Sequence, residues 1–183
     1  MDGNAFLREN RGKGGGTAKR LRKGCGEERR MSKPRILVSA CLLGVCCRYN
    51  AERTVLPELE ALMERAELIP VCPETLGGLP TPRPAAERRG GRVINCAGVD
   101  VTQAYARGAE ETLRLAKLFG VRTALMKERS PSCGAGEIYD GSFSHVRAPG
   151  DGVAAQMLRE SGMAVYGESR IGELMEMLKG EDK

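Results

Sequence analysis

The sequence predicts an α/β fold, a single three-layer domain with a mostly parallel, Rossmann-like sheet. Three observations carry that expectation. Short apolar runs at residues 36–38, 67–71, 121–126 and 163–166 read as buried strands. Segments of helical character follow at 54–66, 100–119, 151–162 and 169–179, and strands alternating with helices build a parallel sheet. Three of the runs also deliver a cysteine just past their carboxyl ends, namely Cys41, Cys72 and Cys133. In an open α/β sheet that edge is where ligands bind, so the three thiols are expected to converge there.

Taken in order, residues 1–32 are rich in Gly, Arg and Lys, lack periodicity and read as a disordered basic leader. Met31, just before the first strand, is a candidate true start, and Cys25 falls within the leader. Residues 35–49, RILVSACLLGVCCRY, begin as a strand and end in a cysteine-bearing loop. The first helix places Leu56, Leu59, Leu62, Met63 and Ala66 on one face, with Pro57 in its first turn. Pro70 removes a ladder donor from the second strand, which is therefore short or at an edge. Residues 72–100 hold four prolines and several glycines, and a loop so long suggests function. Asp100 and Gln103 resemble a capping box opening a helix to Phe119, with Val101, Ala104, Gly108, Leu115 and Phe119 inward and Gly120 as its stop. Residues 136–147 suggest a short hairpin. Asp151 and Ser169 are expected to cap the last two helices.

The totals exclude several classes. The net charge is +5, but residues 1–32 carry nine Lys/Arg and four Asp/Glu, leaving 20 of each sign in the remainder. The domain is thus neutral and lacks Trp, which disfavours nucleic acid as a partner. No apolar run is long enough to span a bilayer, and the basic N-terminus lacks the apolar region of a signal peptide. Seven cysteines, an odd number, suit free thiols in a cytoplasmic protein better than a disulfide framework. There is no internal repeat, and neither GxGxxG nor GxxxxGK[ST] follows a strand.

Three thiols at one sheet edge suit a soft metal centre, although each alone would pass for a small buried hydrophobe. No CxxC pair supports structural zinc, and the single histidine, His145, lies in a polar segment and reads as a surface residue. The spacing does not match a ferredoxin run, but an iron–sulfur cluster can gather cysteines from distant loops. A [4Fe–4S] cluster on three thiolates keeps one iron free as a Lewis acid. Cys46 or Cys47 is a possible fourth ligand, with a packing or loop role preferred, and Cys96 has the weakest case. Glu74, two residues past Cys72, is a candidate general base, against the ordinary reading of a solvated charge. Gly77 and Gly78 would let backbone N–H groups approach a substrate, and Arg83, between two prolines, would grip a carbonyl or phosphate oxygen or form a salt bridge. Ser130 and Ser132 offer hydroxyls to cluster or substrate, or are turn residues. Lys127 and Glu128 are weaker candidates at the same edge.

VSACLLG with a following Cys-Arg-Tyr, then CPETLGGLPTPR, SPSCG, YDGSFS and GDGVAA, closely resembles a small bacterial family that includes the thiouracil desulfidases. The likeness spans about residues 33–166. It implies a [4Fe–4S] cluster on Cys41, Cys72 and Cys133, with Glu74 as acid/base and Ser132, or else Ser130, as the assisting hydroxyl. It implies a thiolated pyrimidine whose sulfur binds the free iron and is replaced by water, departing as hydrosulfide with no net redox change. One departure stands out: Tyr49-Asn50-Ala51 replaces the family's frequent Tyr-Asp-Gly. The rival reading is a non-enzymatic metal or iron–sulfur module for sensing or sulfur transfer, and a third is a metal-free thiol protein. The oligomeric state stays open.

Overall fold

The computed structural model describes residues 33–180, so the expectations for the leader and for Cys25 lie outside the described residues. Four parallel strands form the central sheet: β1 (Arg35–Ser39), β2 (Glu67–Val71), β5 (Thr123–Met126) and β8 (Ala164–Gly167), in the order β2-β1-β5-β8. Their register aligns Leu37 with both Ile69 and Ala124, and Ala124 with Val165. Two antiparallel hairpins lie outside this sheet: β3 (Ala86–Arg89) with β4 (Arg92–Asn95), and β6 (Glu137–Tyr139) with β7 (Arg147–Pro149). The helices are α1 (Leu59–Arg65), α2 (Pro73–Leu76), α3 (Thr102–Leu118), α4 (Val153–Glu160) and α5 (Ile171–Gly180).

The pleat sorts the core into two layers. Ile36 and Val38 face one side and pack with Leu62 of α1 and Leu174 and Leu178 of α5. Leu37 faces the other and packs with Ala109 and Ala116 of α3 and Ala154 and Leu158 of α4. This gives the expected three layers. The chain leaves β1 for β2 on one side and later returns to β5 on the other. The sheet therefore changes direction between β1 and β5, and a crevice opens at such a switch point. Pro70 sits on the edge strand β2, where a missing donor is tolerated.

Several local expectations are corrected. The first helix begins at Leu59 rather than 54, because the preceding residues pair with the loop after β1: Gly44 donates to the Thr54 carbonyl and Leu56 to that of Leu42. Met63 is 55% exposed and off the buried face, and Pro57 precedes the helix. Helix α3 has no capping box. The Asp100 carboxylate accepts the Thr102 N–H, and the buried stripe is Tyr105, Gly108, Ala109, Thr112 and Ala116, leaving Phe119 exposed. Asp151 does not cap α4 but accepts the Gly136 N–H at 2.7 Å, and the Ser169 hydroxyl donates to Glu128. The 72–100 segment is no open loop. It contains α2 and the β3–β4 hairpin, whose Gly90-Gly91 turn was a readable signal beneath the charged flanks.

Two backbone positions bear on stability. Helices α2 and α3 touch through Gly77 and Gly108, where a Cβ on Gly108 would lie 1.9 Å from the Pro73 carbonyl oxygen. Gly108→Ala is expected to destabilise the protein by about 3 kcal/mol, read as a lower denaturant midpoint. Ala51 has φ 58°, a left-handed conformation that disfavours L side chains. Ala51→Gly, which restores the glycine frequent in the resembled family, is expected to stabilise by about 1 kcal/mol. A rise of about 2–4 °C in the thermal midpoint would report it.

Candidate active site and metal centre

Each proposed ligand is carried past a strand end by local structure. Cys41 follows β1 on a single 3₁₀ turn, Ala40–Leu42. Cys72 is the N-cap of α2, and Pro73 sets the first helical turn, which places Glu74 one residue further on. Cys133 closes the turn after β5, where the Ser130 hydroxyl oxygen accepts the N–H groups of Ser132 and Cys133, both at 3.1 Å. All three line one cavity of about 320 Å³ at the switch point, a size suited to a small ligand.

A fourth thiol lines the same cavity. Cys47 is buried, within hydrogen-bonding reach of Cys41 and Cys72, whereas Cys46 is exposed and accepts from Arg53. The sequence alone favours a packing or loop role for this pair. Adjacent residues point in opposite directions, and the structure decides which one faces inward. Thr75 donates to the Cys72 sulfur at 3.3 Å. Cys96 is exposed and away from the cavity.

Burial and mutual contact raise Cys47, Cys72 and Cys133 above the ordinary thiol value in the metal-free protein. Burial pushes Cys133 up to about 12, against the Ser39 and Ser130 hydroxyls, which favour its thiolate. Contact with Cys47, then burial, raises Cys72, and contact with Cys41 raises Cys47. A thiol raised in this way contributes its full stabilisation below its ordinary value of 9.0 and loses it as pH climbs towards its folded value. The thermal midpoint of cluster-free protein is therefore expected to fall between pH 9.0 and about 12, more gently in Cys133→Ala.

Glu74 and Arg83 form a nearly buried ion pair, their side chains 11% and 4% exposed. Arg83 also donates to the carbonyls of Cys47 at 3.0 Å and Pro80 at 3.1 Å, and its own N–H donates to the Tyr49 carbonyl at 2.9 Å. It thus joins the first loop to the proline segment and aims the carboxylate. The salt-bridge reading of Arg83 holds. The other Glu74 oxygen accepts from Ser130 at 3.5 Å. Ser132 is fully buried and its hydroxyl has no partner, whereas Ser130 is the serine that lines the cavity. Gly77 and Gly78 are absent from the lining. Gly77 lets α2 approach α3 closely, with a Cβ there 2.0 Å from the Ala104 carbonyl oxygen.

Lys127 and Glu128 reach the cavity, but Lys127 is paired with Glu168, and Glu128 accepts from Ser169. Tyr105, Glu87, Tyr139, Phe143 and His145 complete the wall and are not singled out as site residues by the sequence. Tyr105 is the one aromatic of its helix, and burial raises its phenol well above the ordinary value. Phe143 lies within the YDGSFS motif and His145 just beyond it. His145 is exposed, as expected, yet sits at the cavity rim.

A family model described as 2-thiouracil desulfurase matches residues 36–170. The chain belongs to the 2-thiouracil desulfurase family. It is similar to the solved structure of a [4Fe–4S]-dependent thiouracil desulfidase, TudS, with 46% identity and a TM-score of 0.75, covering 80% of this chain and 99% of that one. It is also 38% identical over 150 residues to the uncharacterized protein YbbK of Bacillus subtilis (strain 168), covering 76% of this chain and 99% of the relative. In this desulfurase-family chain the donor set fits a cluster better than a lone ion. Four soft sulfur donors share one cavity, while among the described residues no three metal-ligating side chains surround a single-ion position. A four-iron cluster is larger than one ion and takes its thiolates from further apart.

Proposed function

We propose that this protein is a [4Fe–4S]-dependent desulfidase. It converts 2-thiouracil or a related thiolated pyrimidine to the oxo form and releases hydrosulfide. The observation that carries this reading is the convergence of Cys41, Cys72 and Cys133 on one cavity with Glu74 held beside them. The 46% identity to a [4Fe–4S]-dependent thiouracil desulfidase supports it.

Cys41, Cys72 and Cys133 would hold the cluster and leave one iron without a protein ligand. When bound, the cluster supplies a Lewis acid for the thiocarbonyl sulfur. Glu74 takes a proton from water as the water oxygen bonds to the ring carbon that carries sulfur. The carbon–sulfur bond then breaks, sulfur leaves with its electron pair and a proton as hydrosulfide, and the ring keeps a carbonyl oxygen. Nothing is oxidised or reduced. Arg83 and Ser130 keep the Glu74 carboxylate facing the cavity throughout. The three thiolates suit a reducing, cytoplasmic setting.

The test is anaerobic reconstitution followed by assay. About four iron and four sulfide per chain, with conversion of 2-thiouracil to uracil and hydrosulfide in equal amounts, is the expected result. Zinc in place of iron, or a loaded protein that leaves 2-thiouracil unchanged, would overturn the reading.

A further inference from the structure

Aromatic side chains are scarce in this chain, with four tyrosines, three phenylalanines, no tryptophan and a single histidine. The cavity nevertheless gathers Tyr49, Tyr105, Tyr139, Phe143 and His145. The backbone makes a second, independent point. Among the described residues, four non-glycine positions have positive φ, and three of them line this cavity: Arg129 at 61°, Phe143 at 58° and His145 at 60°. Bulky residues persist in that conformation only where their surroundings force it, and such outliers gather at functional sites.

The forcing contacts are visible. The buried Glu87 carboxylate accepts the Phe143 N–H at 2.9 Å. Arg89 donates twice to the Gly141 carbonyl, at 3.1 and 2.7 Å, and a Cβ at Gly141 would lie 2.6 Å from the Arg88 carbonyl oxygen. Asp140 turns the chain by accepting the Ser142 N–H at 2.9 Å. The β3–β4 hairpin thus grips the β6–β7 loop on the side where Phe143 enters the cavity wall. In the same cavity wall, Tyr139 and His145 meet edge to face, with ring centroids 6.0 Å apart and planes at 78°.

We infer that Phe143, which shares a cavity wall with the Tyr139–His145 pair, forms a stacking subsite for the face of a flat heteroaromatic ring. The inference rests on the proposed function for the identity of that ring, a pyrimidine. A ring face offers an aromatic side chain broad contact without hydrogen bonds, so the subsite selects a planar ring and leaves the polar edge to other groups.

Phe143→Gly separates this role from a structural one, because it removes the ring and also relaxes the backbone. The experiment titrates uracil, which cannot be desulfurised, into cluster-loaded protein under anaerobic conditions. It also measures KM and kcat for 2-thiouracil, cluster absorbance and the thermal midpoint. In Phe143→Gly, uracil affinity is expected to fall about tenfold, the effect of losing one base–aromatic stack. KM should rise in parallel and kcat change less, while the thermal midpoint holds or rises and the cluster absorbance stays the same. Phe143→Tyr is expected to restore uracil affinity. Unchanged uracil affinity in Phe143→Gly would overturn the subsite, as would wild-type protein that binds no uracil. So would a joint loss of affinity and thermal stability that Phe143→Tyr fails to repair. If wild-type protein leaves 2-thiouracil intact while Phe143→Gly weakens uracil binding, the subsite stands and the desulfidase reading falls. If wild type turns over 2-thiouracil and both proteins bind uracil equally, the subsite falls and the desulfidase reading stands.

Discussion

Cys72→Ala is expected to yield a folded protein that retains no iron and has lost desulfidase activity by a factor of about 10³ or more, the scale of several kcal/mol of Lewis-acid assistance. Cys41→Ala and Cys133→Ala should also lose iron and activity, at some further cost in stability because both thiols are buried in the core. The fold should survive because Cys72 is partly exposed at the start of a short helix and only borders the layer that holds Val38 and Leu125. Iron and sulfide analysis, far-UV circular dichroism and turnover of 2-thiouracil on the same samples would check each part. Full iron occupancy in Cys72→Ala would remove that residue from the ligand set, and Cys47 would then take its place, since its thiol lies in the same cavity.

Glu74→Gln is expected to keep the cluster and lower kcat by about 10²–10⁴-fold, the usual worth of a positioned general base. Glutamine is the right replacement for a structural reason. Arg83 is almost fully buried, and its charge is met there by Glu74. Alanine would leave that guanidinium unpaired, which costs about 3–5 kcal/mol, and would mix a folding defect with a chemical one. Glutamine keeps the volume and one oxygen to accept from Arg83, and it removes the negative charge together with the ability to take a proton. Its effect should appear in kcat at unchanged iron content, and a fully active Glu74→Gln protein would exclude this role.

The sheet was legible because its signals are local. Three apolar runs each carry a cysteine past the strand end, and Pro70 marks an edge. Glu74 and Arg83 were legible as candidates because a proline-stiffened segment with a charge beside a cysteine is itself a pattern. Their pairing was not, since they lie nine positions apart along the chain and only the folded loop brings them together. Ser130 and Ser132 differ by two positions, and the choice between them depends on a turn in which Ser130 caps its successors. The Gly77–Gly108 contact was hidden for a similar reason. A glycine needed for close approach between helices looks, in sequence, like one needed to meet a ligand. The β3–β4 hairpin was missed because its strands are charged and only partly buried, so the alternation that marks a strand is faint.

The strand order has a consequence for biogenesis. Cys133 lies 92 residues after Cys41, and β5, which presents it, is flanked in the sheet by β1 and by β8 from near the end of the chain. The third thiol thus joins the first two only after β5 has been made and has paired with β1 across more than eighty residues of intervening chain. The ligand set is therefore completed by long-range strand pairing rather than by a local run of cysteines.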